Sequence, residues 1–215
     1  NATTPLCAPA DEAMRSALRT FANPSASYRL ARASRTLIAD ARAAVAGLIG
    51  AESAEIVFTS GGTEANNWAI QGVIAPQAVI DALRPHTRMV AAMLANNEIG
   101  SVQPIAAIAD ALRGRGIHLH TDAVQAVGKL PVDAHALGVD TLAFAAHKFQ
   151  GPKGIGGLFV RAGVELVPLL HGGGQERGQR GGTEALASIV AMGAAAGHVG
   201  GKLETDILRM RAMRE

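Results

Sequence analysis

Apolar positions recur along the chain first at helical spacing, then in short alternating blocks of strand and helix. Between Asp11 and Phe21, Met14, Leu18 and Phe21 fall four and three residues apart on one helical face, with Asp11 placed as N-cap. Asn23-Pro24-Ser25 predicts a turn. A second amphipathic helix is predicted from Arg29 to Leu48, its apolar side formed by Leu30, Leu37, Ala41, Val45 and Leu48, and Gly50 closes it. Glu55 to Thr59 is short and rich in β-favouring residues, hence a strand. A glycine turn at Ser60 to Gly62 leads into a helix from about Thr63 to Val73, an apolar strand from Met89 to Leu94 and a helix around Ile105 to Leu112. Further strands are predicted at Ile117 to Thr121, Thr141 to Ala145 and Gly157 to Val160, and from Thr183 the chain is Ala-rich and helical. Strands alternating with helices predict an α/β fold whose mostly parallel sheet is flanked by helices on both faces. The pattern breaks once: between Val73 and Val79 one helical pattern runs into another with neither strand nor turn between them, as if a segment were missing near 74–78.

Composition narrows the class without changing that picture. Apolar residues make up 48% and charged residues 18% of 215, the balance of a globular chain able to bury one sizeable core. The 20 Lys and Arg are dispersed among 18 acids for a net charge of +2, which argues against a nucleic-acid surface. No apolar run reaches membrane-spanning length, the amino end lacks a signal pattern, and a single cysteine, Cys7, suits a reducing compartment as a structural thiol. The expected location is cytoplasmic, with no membrane partner.

Chemistry is expected where parallel strands end. After the first strand, Thr59-Ser-Gly-Gly-Thr-Glu-Ala-Asn66 offers a phosphate cradle, in which glycines admit the ligand to the backbone and the next helix presents free N–H groups; alone it is equally a plain strand-to-helix turn. Asn96-Asn97-Glu98 follows the second strand and could hold a planar ligand or tie a loop. Asp122, with Gln125 three residues on, could pair with a cationic ring nitrogen or cap a helix. His118 and His120 share a strand face, but too few further ligands stand near them for a metal site. His147-Lys148 precedes a rigid Gly151-Pro152 turn, where burial would lower the lysine pKa and free its amine for imine chemistry. A phosphate cradle, a carboxylate, an amide and a lysine in this order suggest pyridoxal 5′-phosphate, which needs an imine-forming Lys, an acid at its ring nitrogen and an anion site. Neither Gly-x4-Gly-Lys-Ser/Thr nor a strand-linked Gly-x-Gly-x-x-Gly occurs, which disfavours NTPases and dehydrogenases.

Six segments together resemble the cysteine desulfurases of the class V aminotransferase superfamily, in the branch serving iron–sulfur assembly and nitrogenase. They are Asn1-Ala-Thr-Thr-Pro5, Phe58 to Asn67, Leu94 to Gly100, His120 to Lys129, His147-Lys148 with Gly151-Pro-Lys-Gly154, and His171 to Gly178 with Gly182-Thr183. The resemblance implies a fold type I large domain that binds pyridoxal phosphate and a homodimer with shared sites. By position it implies Lys148 as the imine-forming and proton-shuttling residue, Asp122 at the pyridine nitrogen and Gln125 at the phenolic oxygen. It further implies Gly62, Thr63 and His147 at the phosphate, Asn97 beside the ring, and Thr183 reaching the partner protomer's phosphate. The implied reaction converts L-cysteine to L-alanine and leaves the sulfur on an enzyme thiol for an iron–sulfur scaffold or other acceptor protein.

Some of the family's features have no counterpart here. The ring-stacking histidine would fall in the segment missing near 74–78, the nucleophilic cysteine and the carboxylate-binding arginine would lie beyond Glu215, and Ala145 stands where the family has a phosphate-binding serine. The expectation is therefore a longer desulfurase, with residues 1–20 associated with a small domain, 21–200 forming the cofactor-binding domain and 201–215 beginning the linker helix to a small domain that is largely absent here. A selenocysteine lyase or other class V enzyme, and a non-catalytic remnant keeping the dimer scaffold, are the alternatives.

Overall fold

The computed structural model describes residues 4–20, 24, 31–72, 86–96 and 100–213. Helix α1 (Ala8–Ala17) begins three residues before Asp11, the expected cap. Pro9 supplies the preset φ favoured in a first turn, Cys7 is the N-cap, and Asp11 instead pairs with Arg15 one turn on at 3.0 Å. Leu18 stays exposed, and the buried positions are Ala10 and Ala17. In α2 (Ala31–Leu48) the buried residues Ala31, Ser34, Ile38, Ala41 and Val45 recur three and four apart, with Ala46 beside the last, which turns Ile38 inward where Leu37 was expected. Gly50, at φ +61°, closes it as expected.

The sheet comprises β1 (Ile56–Thr59), β2 (Met89–Met93), β3 (His118–Asp122), β4 (Thr141–Ala145) and β5 (Gly156–Val160), in the order β1-β5-β4-β3-β2. Between them run α3 (Gly62–Gly72) and α4 (Ile105–Leu112), and α5 (Leu186–Gly200) with α6 (Leu203–Ala212) follow. Four of the five strands, β1, β2, β3 and β4, run in one direction, as expected of a mostly parallel sheet, while β5 runs antiparallel to both its neighbours, β4 and β1, so the sheet is mixed. The reason is the connection. Only residues 146–155 join β4 to β5, too few for the helical crossover that a parallel return requires.

Every residue of β4 and β5 is buried, as expected of strands covered on both faces. Val57, Ala143 and Leu158 pack with Ala65 and Trp68 of α3 on one side. Ile56, Phe58, Leu142, Phe144 and Phe159 join α2 and α5 on the other. Because β5 alone is reversed, β1, β2, β3 and β4 all end at the same edge of the sheet. Gly156 pairs there with both Thr59 and Ala145, which sets the loops after β1 and β4 one strand apart. The discontinuity near 74–78 lies outside the described residues.

Candidate active site

After β1 the chain turns through Ser60 and Gly61 into α3. The Thr59 hydroxyl donates to the Gly61 carbonyl at 3.0 Å, and the Ser60 N–H and hydroxyl donate to Glu64 at 2.8 and 2.5 Å. Burial disfavours the Glu64 charge, yet hydrogen bonds from Arg180 and Ser60 outweigh it and hold the carboxyl below its ordinary range. The first turn of α3 thereby directs its backbone N–H groups to the sheet edge. Gly62 is required by close approach. A Cβ there would lie 2.8 Å from Val124 Cγ2 and 3.5 Å from the Ala145 Cβ, so Gly62 brings the loops after β1, β3 and β4 together. Thr63 is exposed at the head of α3.

Asp122 is the last residue of β3. Its Oδ1 accepts the Val124 N–H at 2.9 Å and its Oδ2 accepts Asn66 Nδ2 of α3 at 2.9 Å, so both carboxylate oxygens are tethered. Gln125 Oε1 accepts Lys129 Nζ at 3.0 Å. A lysine only donates, so this contact fixes the amide with its NH2 turned away, ready to donate to a ligand oxygen.

The loop after β4 forms a single 3-10 turn, Ala146–Lys148, followed by Gln150 at φ +66°, an unusual backbone state for a side chain of that size. The amino-terminal segment braces it. Thr4 donates its N–H and its hydroxyl to the His147 carbonyl at 2.9 and 2.7 Å, while its oxygen accepts the Gln150 N–H at 2.9 Å. Lys148 is thus clamped from both sides along the chain. Burial pushes the His147 imidazole and the Lys129 amine below their ordinary values, and the charge of Lys148 lowers both further, with Lys153 also acting on His147. Lys129, Lys148 and Lys153 thus stand close enough to His147 for their charges to act on it. Such a cluster, with three loops meeting at a helix start, is the donor set a phosphate dianion would neutralise; Asp122 supplies the carboxylate for a ring cation. The residues present fit pyridoxal phosphate.

Thr183 lines a cavity of about 140 Å³ together with Thr59 and Ser60 of the turn after β1, Gly154 and Gly182. Its loop is held by Arg180, which donates to Glu64 at 2.9 Å, and by the buried pair Arg42–Glu176, bidentate at 2.9 and 2.9 Å, with Phe58 N–H also donating to Glu176. Asn97 lies outside the described residues, although flanking Asn96 and Ser101 are closed by a 2.9 Å backbone hydrogen bond. His118 and His120 do not converge on a metal: both rings bond the Thr141 hydroxyl, at 2.8 and 3.0 Å. Sequence reasoning did not single out Asn66 or Thr4. The available signals were an amide pair inside an otherwise apolar helix and a hydroxyl beside a proline.

The sequence profile of the class-V aminotransferases matches residues 1–76 and 71–214, in two pieces that meet where the helical pattern is discontinuous. The chain belongs to this family, and within it to the cysteine desulfurases, whose members depend on pyridoxal phosphate. It is 38% identical to the cysteine desulfurase IscS of Dictyoglomus turgidum over 260 positions, more than its own 215 residues, covering 100% of this chain and 66% of that protein. It is 35% identical to an IscS-like cysteine desulfurase of Mycobacterium tuberculosis, covering 100% of this chain and 67% of that one. Among solved structures, "SspA in complex with cysteine" is 36% identical at a TM-score of 0.85, covering 92% of this chain and 71% of that one. A "NIFS-like protein" is 30% identical at a TM-score of 0.90, covering 99% and 72%. The chain thus spans 66% and 67% of these two curated relatives and 55% to 60% of others that it matches. These names favour neither the selenocysteine lyase nor the non-catalytic alternative.

Proposed function

We propose that this chain carries the cofactor-binding part of a cysteine desulfurase, one that takes sulfur from L-cysteine, releases L-alanine and passes the sulfur to an acceptor or iron–sulfur scaffold protein. The observation that supports it most is the meeting of three loops at one sheet edge, joined by the contact of Gly62 with Val124 and Ala145. Pyridoxal phosphate, when bound, supplies an electron sink for the carbanion left by loss of a substrate proton. Gly62 and Thr63 with the first turn of α3, together with His147, hold the phosphate in this reading. Asp122 keeps the ring nitrogen protonated, Gln125 donates to the phenolic oxygen, and Asn97 lies beside the ring. Lys148 would attach the cofactor, and its free amine would move the substrate proton as general acid and base.

Thr183 reaches a second copy's phosphate in a homodimer, and the protein works in the cytoplasm. Residues 1–20 belong with a small domain, 21–200 with the cofactor domain and 201–215 with the linker helix. The bracing of the Lys148 turn by Thr4 ties the first of these parts to the second. The proposal is tested by adding pyridoxal phosphate to the purified chain and to Lys148→Ala. A visible absorbance band in the first that is absent from the second is the expected result; equal bands, or none in either, would contradict it.

A further inference from the structure

His118, His120 and Asp122 occupy alternate positions of β3 and share one face of the strand. From that face an unbroken line of hydrogen bonds leads to the Asp122 carboxylate. His118 Nε2 lies 2.8 Å from Thr141 Oγ1, which lies 3.0 Å from His120 Nδ1. His120 Nε2 lies 3.0 Å from Asn66 Oδ1, and Asn66 Nδ2 lies 2.9 Å from Asp122 Oδ2. His120 is 2% exposed and Thr141 0%, so water cannot replace these partners.

Proton positions along the line follow from its end. An ionised carboxylate only accepts, so Asn66 must turn its NH2 to Asp122 and its oxygen to His120. His120 must then carry its proton on Nε2, leaving Nδ1 to accept from the Thr141 hydroxyl. The Thr141 oxygen in turn accepts from His118 Nε2. With both imidazoles neutral, every donor in the line therefore points toward Asp122, whereas a cationic His120 would turn the Thr141 hydroxyl back toward His118.

We propose that Asn66 and His120 are positioning residues for Asp122, holding the carboxylate at one rotation so that its remaining lone pairs face the cofactor's ring nitrogen. This rests on the reading of Asp122 as the partner of that nitrogen. The Val124 N–H fixes one oxygen and Asn66 the other, and His120 keeps the Asn66 amide from flipping. Without the relay the carboxylate turns about its own axis, and the ring nitrogen loses an oriented anion.

The test uses the purified chain and pyridoxal phosphate, reading the dissociation constant and the pH midpoint of the visible band. Asn66→Ala and His120→Leu should weaken binding by about ten- to a hundredfold, as loss of an outer ligand-orienting partner does at metal sites, and should shift the midpoint. His120→Gln, which keeps a neutral donor, should restore most of the affinity. Melting temperature reports fold separately, because a merely structural role would lower it and leave affinity and midpoint unchanged. Folded Asn66→Ala and His120→Leu proteins that bind as the wild type does overturn the proposal alone. A wild-type chain with no visible band, or a band surviving in Lys148→Ala, overturns it together with the reading beneath it. Nitrogen NMR of the cofactor-free wild type adds a check that needs no variant: a proton on Nε2 of His120 is expected, and one on Nδ1 overturns the relay.

Discussion

Thr4→Val removes one hydroxyl from the brace on the Lys148 turn while preserving shape. Two hydrogen bonds are lost, the 2.7 Å donation to the His147 carbonyl and the 2.9 Å acceptance from the Gln150 N–H. The His147 carbonyl keeps the Thr4 N–H at 2.9 Å, but the part-buried Gln150 N–H loses this partner. At about 0.5–1.5 kcal/mol net for each bond, the cost is about 1–3 kcal/mol. Gln150 sits at φ +66°, a state that persists only while its surroundings enforce it, so the turn should also loosen. Denaturant unfolding followed by circular dichroism gives the first effect, and each kcal/mol should lower the melting temperature by about 2–4 °C in a chain of this size. Stopped-flow growth of the visible band after mixing with pyridoxal phosphate gives the second, and slower attachment at Lys148 is expected. Stability within about 0.3 kcal/mol of wild type, with an unchanged attachment rate, would refute the brace.

Acid should destabilise the chain through His120. Burial, with the charge of His118, lowers its imidazole to about 4 from the unfolded 6.5, so between these values the unfolded chain binds a proton that the folded one excludes. Stability should therefore fall by about 3 kcal/mol as pH drops from 6.5 to 4 and be flat from this source above 6.5; an equally steep slope in His120→Gln would assign the loss elsewhere. Glu176→Ala leaves the Arg42 guanidinium, whose side chain is 13% exposed against 2% for its partner, without its carboxylate although it still donates to the Ile56 carbonyl at 2.6 Å, and should cost about 3–5 kcal/mol in denaturant unfolding. A loss below about 1 kcal/mol would mean the pair does not anchor the loop bearing Thr183. Gly62→Ala puts a methyl 2.8 Å from Val124 and should weaken pyridoxal phosphate binding, with Val124→Ala restoring part of it; unchanged affinity in equilibrium dialysis would dissociate the glycine from the phosphate cradle.

The helical and strand blocks were legible because burial imposes period. Ile105 to Leu112 and Thr141 to Ala145 fall where their apolar residues place them. The direction of β5 was not, since direction depends on what the connection after β4 can span and not on the strand's own residues. Asp122, Gln125, His147 and Lys148 could be picked out because each ends or follows a strand that ends at the same edge. Asn66 and Thr4 could not. Their partners lie 56 and 143 residues away, and a polar residue in a helix or an end segment gives no local sign of what it meets. The polar face of β3 was visible as two histidines with too few further ligands for a metal, but the hydroxyl that joins them comes from β4, and spacing within one strand gives no sign of it.

Borohydride reduction of the chain mixed with pyridoxal phosphate, followed by intact-mass and peptide mapping, addresses the central claim most directly, because Lys129, Lys148 and Lys153 all lie close to His147 and only one should react. One reduced adduct per chain, on Lys148, is the expected result. No adduct, or adducts spread over Lys129 and Lys153, would contradict the assembly of these loops into a cofactor site.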